Sequence, residues 1–416
     1  MLLLLLLAQM PAMPGQPMGP IVSSPATSRV SYAFFEFAPA NGAGMGSACA
    51  GITPTGAKGE ALIFARSTTA MCSKRGLRTT GIQPGDLVVV AAGQPRVEPD
   101  ADGVLGLRLE NARANRLLRS SEIDNGAWTK AGGASVSADY ALAPDGTMSA
   151  DRLIYNATSS YVLQADNTGG VATAASVYLR GTSGSGVIDF CHGGGSGQCT
   201  TCSYVASSWT RCEFVSSFAA ANNVFLGCDA PTKGSACSPA GDVLVWGLQH
   251  ELGSNASSHI PTVSATANRN VETASFAFTT PLPSGSMAVS VDTSTTSHNG
   301  DQGWLVVCGG TTTGFNGLLG YSTAFASSLF INSSTLSGTV GGSVGQSRRA
   351  GWWGTSGYGA INTPGTSATG ATTTTMTGAP SFLGLGDYNA CAAPGSRVAD
   401  GIYSRPCVDP DPARCR

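Results

Sequence analysis

Short apolar runs of four to seven residues, broken by Gly, Pro, Ser and Asn, recur along the chain from about residue 60. Runs at 61–65 and 86–92 flank the turn Gly81-Ile-Gln-Pro-Gly85. Others follow at 134–140, 150–155, 174–180, 186–190, 209–215, 223–227 and 242–248. Bounded runs of this length read as β-strands. Strands with turns at this spacing predict a two-sheet sandwich in which each strand buries one face. The same pattern gives strands at 286–292, 303–308, 328–332, 349–353 and 381–384, and so a second sandwich. The Thr-, Gly- and Ala-rich 363–377 reads as a long loop with one strand. Only LRLENARANRLLR at 107–119, the most charged stretch, has the spacing of a helical turn or two, and it is expected to bridge domains.

The expected fold is therefore all-β: two β-sandwich (jelly-roll) domains in tandem, at 116–275 and 276–416, behind a β-rich region at 23–115. Composition agrees with this, since no Glu follows Glu272 and no Lys follows Lys233, which thins out strong helix formers toward the C-terminus. Hydrophobic residues at 42% supply enough side chain for a core and argue against disorder. Charged residues are only 12%, the formal net charge is -2 and four of the 23 cations are Lys. No basic field exists to attract nucleic acid. Residues 1–22, with the run Leu2–Leu7 followed by a Pro- and Gly-rich stretch, resemble a signal-peptide leader without its positive start, so the chain is expected to be secreted or held at a cell surface. No later stretch reaches the ~20 apolar residues of a membrane span.

Twelve cysteines fit an exported, disulfide-bonded chain. The closest pairs are candidates for local staples: Cys49 with Cys72, Cys228 with Cys237, and Cys407 with Cys415. The cluster Cys191, His192, Cys199, Cys202 and Cys212 raises zinc as an alternative, but it lacks a second C-x-x-C. Connectivity stays open at this level.

Catalytic motifs are weak. Gly341-Gly-Ser-Val-Gly345 matches the nucleophile elbow around Ser343, yet about one such match is expected by chance in so Gly- and Ser-rich a chain, and no histidine follows His298. His250-Glu251 begins a zinc-protease motif, but Ser254 stands where its second His belongs. Glu251 and Asp242 are carboxylates in stretches that turn and strand signals already explain. Asp100-Ala-Asp-Gly103, Asp409-Pro-Asp411, Asp145 and Asp151 have features of a structural Ca²⁺ site without a full ligand set, so no cofactor is expected. A sugar surface needs flat aromatic faces beside polar groups. Trp352, Trp353 and Tyr358 form the densest aromatic group, with Trp304 on another strand of the same domain. Adjacent strand residues face opposite ways, so at most one of the paired tryptophans can meet a ligand.

Several motifs carry a family resemblance. Phe64-Ala-Arg-Ser-Thr-Thr-Ala70, Gln94-Pro-Arg-Val97, the 102–115 stretch ending Leu109-Glu-Asn-Ala-Arg-Ala-Asn115, and Leu117-Leu-Arg-Ser120 resemble, in the same order, the opening module of phage tail and head fibre proteins. Asn125-Gly-Ala-Trp-Thr-Lys130, Ala143-Pro-Asp-Gly-Thr147, Trp209-Thr-Arg211, 245–252 and Ser258-His-Ile-Pro-Thr262 are similar to the carbohydrate-binding-module-like jelly roll that follows in those proteins. Ala114 replaces the usual Thr, and the six cysteines between Cys191 and Cys237 lie outside the pattern. At the C-terminus, Phe382-Leu-Gly-Leu-Gly386 and Gly395-Ser-Arg-Val-Ala-Asp-Gly401 resemble a laminin-G-like or concanavalin-like sandwich. The resemblance implies binding or architecture rather than catalysis: a non-enzymatic recognition or adhesion protein with a glycan partner, or a fibre-like scaffold, with a hydrolase as the remaining reading.

Overall fold

The structure, a computed structural model, describes Cys49 and residues 61–415 except 77–79, 101, 157–158, 167–170, 194–197, 217–222, 229–236, 238–239, 279–280, 282–286, 298–301, 310–316, 322–327, 332–333, 336–344, 355–356, 363–365, 371–379, 387–399 and 410–414. Among the described residues there is no α-helix, so no helix is long and apolar enough to cross a membrane. Every strand pair is antiparallel, and the chain is all-β.

The first sandwich has two five-stranded sheets. One runs Gln198–Val205, Ser185–His192, Asn223–Cys228, Ser160–Ala165, Thr129–Ala131; the other Thr210–Ser216, Thr173–Gly181, Gly241–Leu252, Ala150–Tyr155, Ser135–Ala141. Ser160–Ala165 alternates buried and less buried positions, as a strand with one covered face must. Between the sheets Leu153, Val177, Leu179, Val243 and Val245 meet Val162, Ile188, Phe190, Val224 and Leu226, with Trp128 closing one end. Thr173–Gly181 is buried at nearly every position, so its outer face is covered as well. The cover is the hairpin of Ala70–Ser73 and Leu87–Val90, whose Met71 and Leu87, with Ile82 from the connecting turn, pack on Tyr178, Trp209, Leu244 and Trp246.

A second pair of sheets has seven strands each. One runs Leu62–Ala65, Thr273–Ala277, Pro380–Leu385, Gln302–Gly309, Gly317–Tyr321, Ser328–Ile331, Ser334–Thr335; the other Thr366–Gly370, Gly357–Asn362, Gly345–Gly354, Met287–Ser297, Asp400–Asp409, Leu105–Leu109, Arg96–Pro99. The two approach across an interior that includes Tyr403 and Leu109. A Cβ added at Gly386, just past Pro380–Leu385, would sit 2.9 Å from the Tyr403 ring and 3.0 Å from Leu109. Strands from the first 110 residues thus complete both sheets at their edges.

The 107–119 stretch corrects the helical expectation. It is extended, forming part of Leu105–Leu109 and then Arg113–Asn115, which pairs with Ala267–Arg269 in a two-stranded ribbon. Arg108 and Glu110 pair with residues of the opening strands, Arg113 reaches Glu251 and Asp400 on distant strands, and only Arg119 pairs locally, with Glu122 in a turn. Disulfides join Cys49–Cys72, Cys191–Cys199, Cys202–Cys212, Cys228–Cys237 and Cys407–Cys415, Cys308 is also disulfide-bonded, and no described cysteine is free.

Candidate functional site

The dominant polar feature is a buried network of arginines and glutamates where the opening strands, the ribbon and the outer face of the first sandwich meet. Glu272 accepts from Arg66 Nη1 at 2.5 Å and from Arg96 Nε at 2.9 Å, and its second oxygen takes Arg96 Nη2. Arg96 also donates to Met71 O and Ser258 Oγ, each at 2.8 Å, and to Glu110 at 2.7 Å. Glu110 receives the Ser258 N–H and Oγ–H at 2.9 and 2.6 Å, and Arg269 lies 3.2 Å away. Glu251 is capped by the Ser257 N–H at 2.6 Å and Oγ–H at 2.7 Å and by Gln249 at 2.8 Å. Arg113 connects this end to Asp400 at 3.3 Å.

Burial alone disfavours every one of these charges, so the partners decide which stay ionised. Burial pushes Glu110 up, but Arg269, Arg96 and Arg108 together hold it well below the usual carboxylate range. Burial likewise opposes the Arg96 charge, which Glu272 and Glu110 more than restore. Glu98 and Glu251 lie above the ordinary value because burial outweighs their partners.

A β-bulge places Glu251 in this network. In Gly241–Leu252, Leu244 and Trp246 face outward while Val243 and Val245 face the inner core; past the register shift opposite Ser176 and Tyr178, Leu248 and His250 face inward and Gln249 and Glu251 outward. Gly247 occupies the bulge at φ +66°, where a Cβ would come within 3.2 Å of Tyr178. One extra residue therefore exchanges the faces of His250 and Glu251.

On the inner side, His192 Nδ1 lies 2.7 Å from Ser216 Oγ and 3.2 Å from Thr173 Oγ1, and its ring centroid is 4.2 Å from that of His250. His250 Nδ1 meets Asp166 at 2.5 Å, and Arg116 pairs with the same carboxylate at 2.8 Å. Ser216 and His192 have the separation of a nucleophile and its base. The carboxylate, however, orients His250 rather than His192, and Ser216, His192 and His250 are all buried. Burial and the neighbouring His250 lower the His192 pKa to about 4. Among the described residues the cluster is a buried polar part of the core. Asp100 and Asp145 spend carboxylate oxygens on turns, accepting from Val104 N–H at 2.8 Å and Thr147 N–H at 2.9 Å. Ser343 lies outside the described residues.

Of the four aromatic candidates, Trp304 lies in one seven-stranded sheet at a register shift between Gly303 and Leu305, and the other three lie in the second sheet. The register sets Trp353 opposite Met287 and Tyr358, and Trp352 opposite Ala288 and Gly359. Trp353 and Tyr358 are thus direct cross-strand neighbours, while Trp304 belongs to another sheet. An open groove of about 340 Å³, not foreseen from the sequence, lies beside the ribbon, with Arg113, Arg116, Leu252, Asn268 and Asn270 in its wall. The network was missed as a unit, although Arg66, Arg96, Glu110, Arg113, Glu251 and Ser258 all lie in the quoted motifs. The available signal was the concentration of Arg and Glu in a chain otherwise poor in charge.

No protein-family model and no curated protein matches the chain. Among solved structures it is similar to the N-terminal CBM22-1–CBM22-2 tandem domain of Xyn10C from Paenibacillus barcinonensis, at 11% identity over 73% of this chain and 99% of that one, with a TM-score of 0.27. It is also similar to domains LG4-5 of the mouse laminin α1 chain, at 10% identity over 68% of this chain and 90% of that one, with a TM-score of 0.24.

Proposed function

We propose that this is an exported, non-catalytic recognition or adhesion protein that binds glycans, with Trp353 and Tyr358 as the principal contacts and Trp352 and Trp304 as the remaining candidates. The observation that carries the reading is the register that sets Trp353 and Tyr358 directly opposite each other on neighbouring strands. Cross-strand partners share one face of a sheet. Flat aromatic side chains are the groups against which sugar C–H surfaces pack. Disulfide bonds at sequence separations from 8 to 23 residues favour an oxidising compartment, and thus export. In this reading 116–275 and 276–416 are the two domains, 23–115 is the β-rich entry region and 1–22 a signal-peptide-like leader.

A fibre-like scaffold without a specific ligand is the second reading. It is favoured by the buried Arg–Glu network, which locks the opening strands to the rest of the chain and leaves its members little surface for a partner. A polysaccharide and glycan array on the full chain separates the two. Glycan recognition expects a reproducible hit whose affinity falls roughly tenfold or more in Trp353→Ala and Tyr358→Ala. No hit, or hits indifferent to both changes, would favour the scaffold.

A further inference from the structure

The hairpin of Ala70–Ser73 and Leu87–Val90 does not close fully onto the outer face of the first sandwich. A cavity of about 110 Å³ remains beneath it, with Glu98, Arg108, Tyr178, Arg211, Glu213 and His259 as its polar wall and apolar side chains from the hairpin opposite. At roughly 10–15 Å³ per water on this measure, it has room for several waters or for a guest of a few heavy atoms.

Hydrogen bonding around the cavity is one-sided. Arg108 is 4% exposed, and its Nε and Nη1 have no hydrogen-bond partner. Its two acidic neighbours stand off, Glu98 at 3.7 Å and Glu110 at 3.4 Å. Those carboxylates are engaged elsewhere, Glu98 by the Ser73 N–H at 3.0 Å and Glu110 by Ser258 and Arg96. Arg211 pairs through Nη1 with Glu213 at 2.6 Å, while its Nε is unpartnered. His259 is 1% exposed, stacks against Trp246 at 4.7 Å between ring centroids, and has no partner at either ring nitrogen. Burial, with Arg211 nearby, lowers its pKa to about 3, so the ring is neutral and offers one N–H. The unmet capacity consists almost wholly of donors, three of them on two guanidinium groups, and a buried charged donor without an acceptor is costly.

We propose that this cavity binds a small carboxylate, with Arg108 as its principal ligand and Arg211 and His259 as flanking donors. A guanidinium takes a carboxylate in a two-pronged, charge-assisted geometry that neither Glu98 nor Glu110 supplies from its present distance. Glu98 and Glu213 in the same wall repel further negative charge, which favours a singly charged guest over phosphate or sulfate. The carboxylate can be a free small acid or the acidic group of a sugar, and the site does not depend on the aromatic strands of the second sandwich.

The full chain is titrated with sodium acetate and, separately, with sodium glucuronate, at an ionic strength kept constant with sodium chloride, and the thermal midpoint and the heat of binding are followed. The expected result is a saturable rise in midpoint with acetate above the chloride baseline; a matching rise with glucuronate assigns the site to an acidic sugar, and its absence to a free acid. Because Arg108 also faces buried acids, the informative variants are His259→Phe, expected to weaken acetate roughly fivefold by loss of one hydrogen bond, and Glu213→Gln, expected to tighten it by removing a repelling charge. A wild-type chain indifferent to both carboxylates, as a cavity holding only water would be, overturns the inference. So does unchanged acetate affinity in both variants.

Discussion

In the sheet of the first sandwich that contains Thr173–Gly181, the central strands are covered on both faces, by opposite means. Its inner face carries Val177, Leu179, Val243 and Val245 against the apolar side chains of the facing sheet. Its outer face carries Ser176, Tyr178, Gln249 and Glu251, and beyond them the opening strands and the 267–272 segment add four buried arginines, Arg66, Arg96, Arg108 and Arg269, with Glu98, Glu110 and Glu272. Apolar burial is non-directional and tolerates exchange of side chains of similar volume. A buried charge layer tolerates little, because each member is held in place by the partner that neutralises it. The inner face thus makes the sandwich, and the outer face specifies which segments close over it.

The largest expected effect comes from breaking that distinction at one residue on each side. Glu272→Gln keeps the volume but leaves Arg66 and Arg96 without their shared carboxylate, and should destabilise by about 3–5 kcal/mol. Leu226→Met, an equally conservative change in the inner core, should cost less than about 1.5 kcal/mol. Urea midpoints at unchanged slope measure both. Equal losses would mean that the outer layer is held by packing and not by charge.

Much of the inner face was legible because apolar periodicity reports burial on one side of a strand. Ala150–Tyr155 coincides with its expected run, and most other runs are displaced by only one to four residues at either end. Gln198–Val205 was not legible: half of its sequence QCTTCSYV is polar without a clean alternation, and the strand is fixed by its disulfides and by pairing with Ser185–His192. Asp400–Asp409 was missed because its neighbours on either side, Met287–Ser297 and Leu105–Leu109, are more than 100 and almost 300 residues away. The outer layer was visible only as motifs. Long-range ion pairs have no period, and nothing local reveals that Gly247 shifts the strand so that Glu251 rather than His250 faces the arginines. For the aromatic candidates, chain position was legible, whereas the pairing of Trp353 with Tyr358 required the register.

Titration sharpens the comparison, since each face buries a neutral histidine. An unfolded histidine takes up its proton near pH 6.5. In the folded chain His192, on the inner side, waits until about pH 4 and His259, on the outer side, until about pH 3, both chiefly because of burial. Between these values and 6.5 the unfolded state binds more protons, so stability falls as the pH is lowered through that window, by on the order of 3 kcal/mol per histidine at pH 4. Asp151, raised by burial to about 6, acts in the reverse sense. Between about pH 4 and 6 its folded form holds the extra proton, offsetting part of the loss. Urea midpoints from pH 7 to pH 4 should therefore decline, less steeply in His192→Gln and in His259→Gln. Equal pH slopes in the wild type and in both variants would show that the two rings take up protons in the folded state.

The smallest expected effect uses the same chemistry with the burial removed. Arg119 Nη1 and Glu122 are paired at 2.8 Å, much like the Arg–Glu contacts of the outer layer, but their side chains are 30% and 42% exposed. Water solvates both ions whether or not they meet, so the pair gains little Coulomb energy and gives up side-chain freedom. Glu122→Ala should change stability by no more than about 0.5 kcal/mol, with the midpoint moving less as salt is added. The backbone hydrogen bonds of this turn, Glu122 N–H to Arg119 O and Asn125 N–H to Glu122 O, survive the change. A loss approaching that of Glu272→Gln would mean that the sequence position of these charges, and not their separation from water, sets what they contribute.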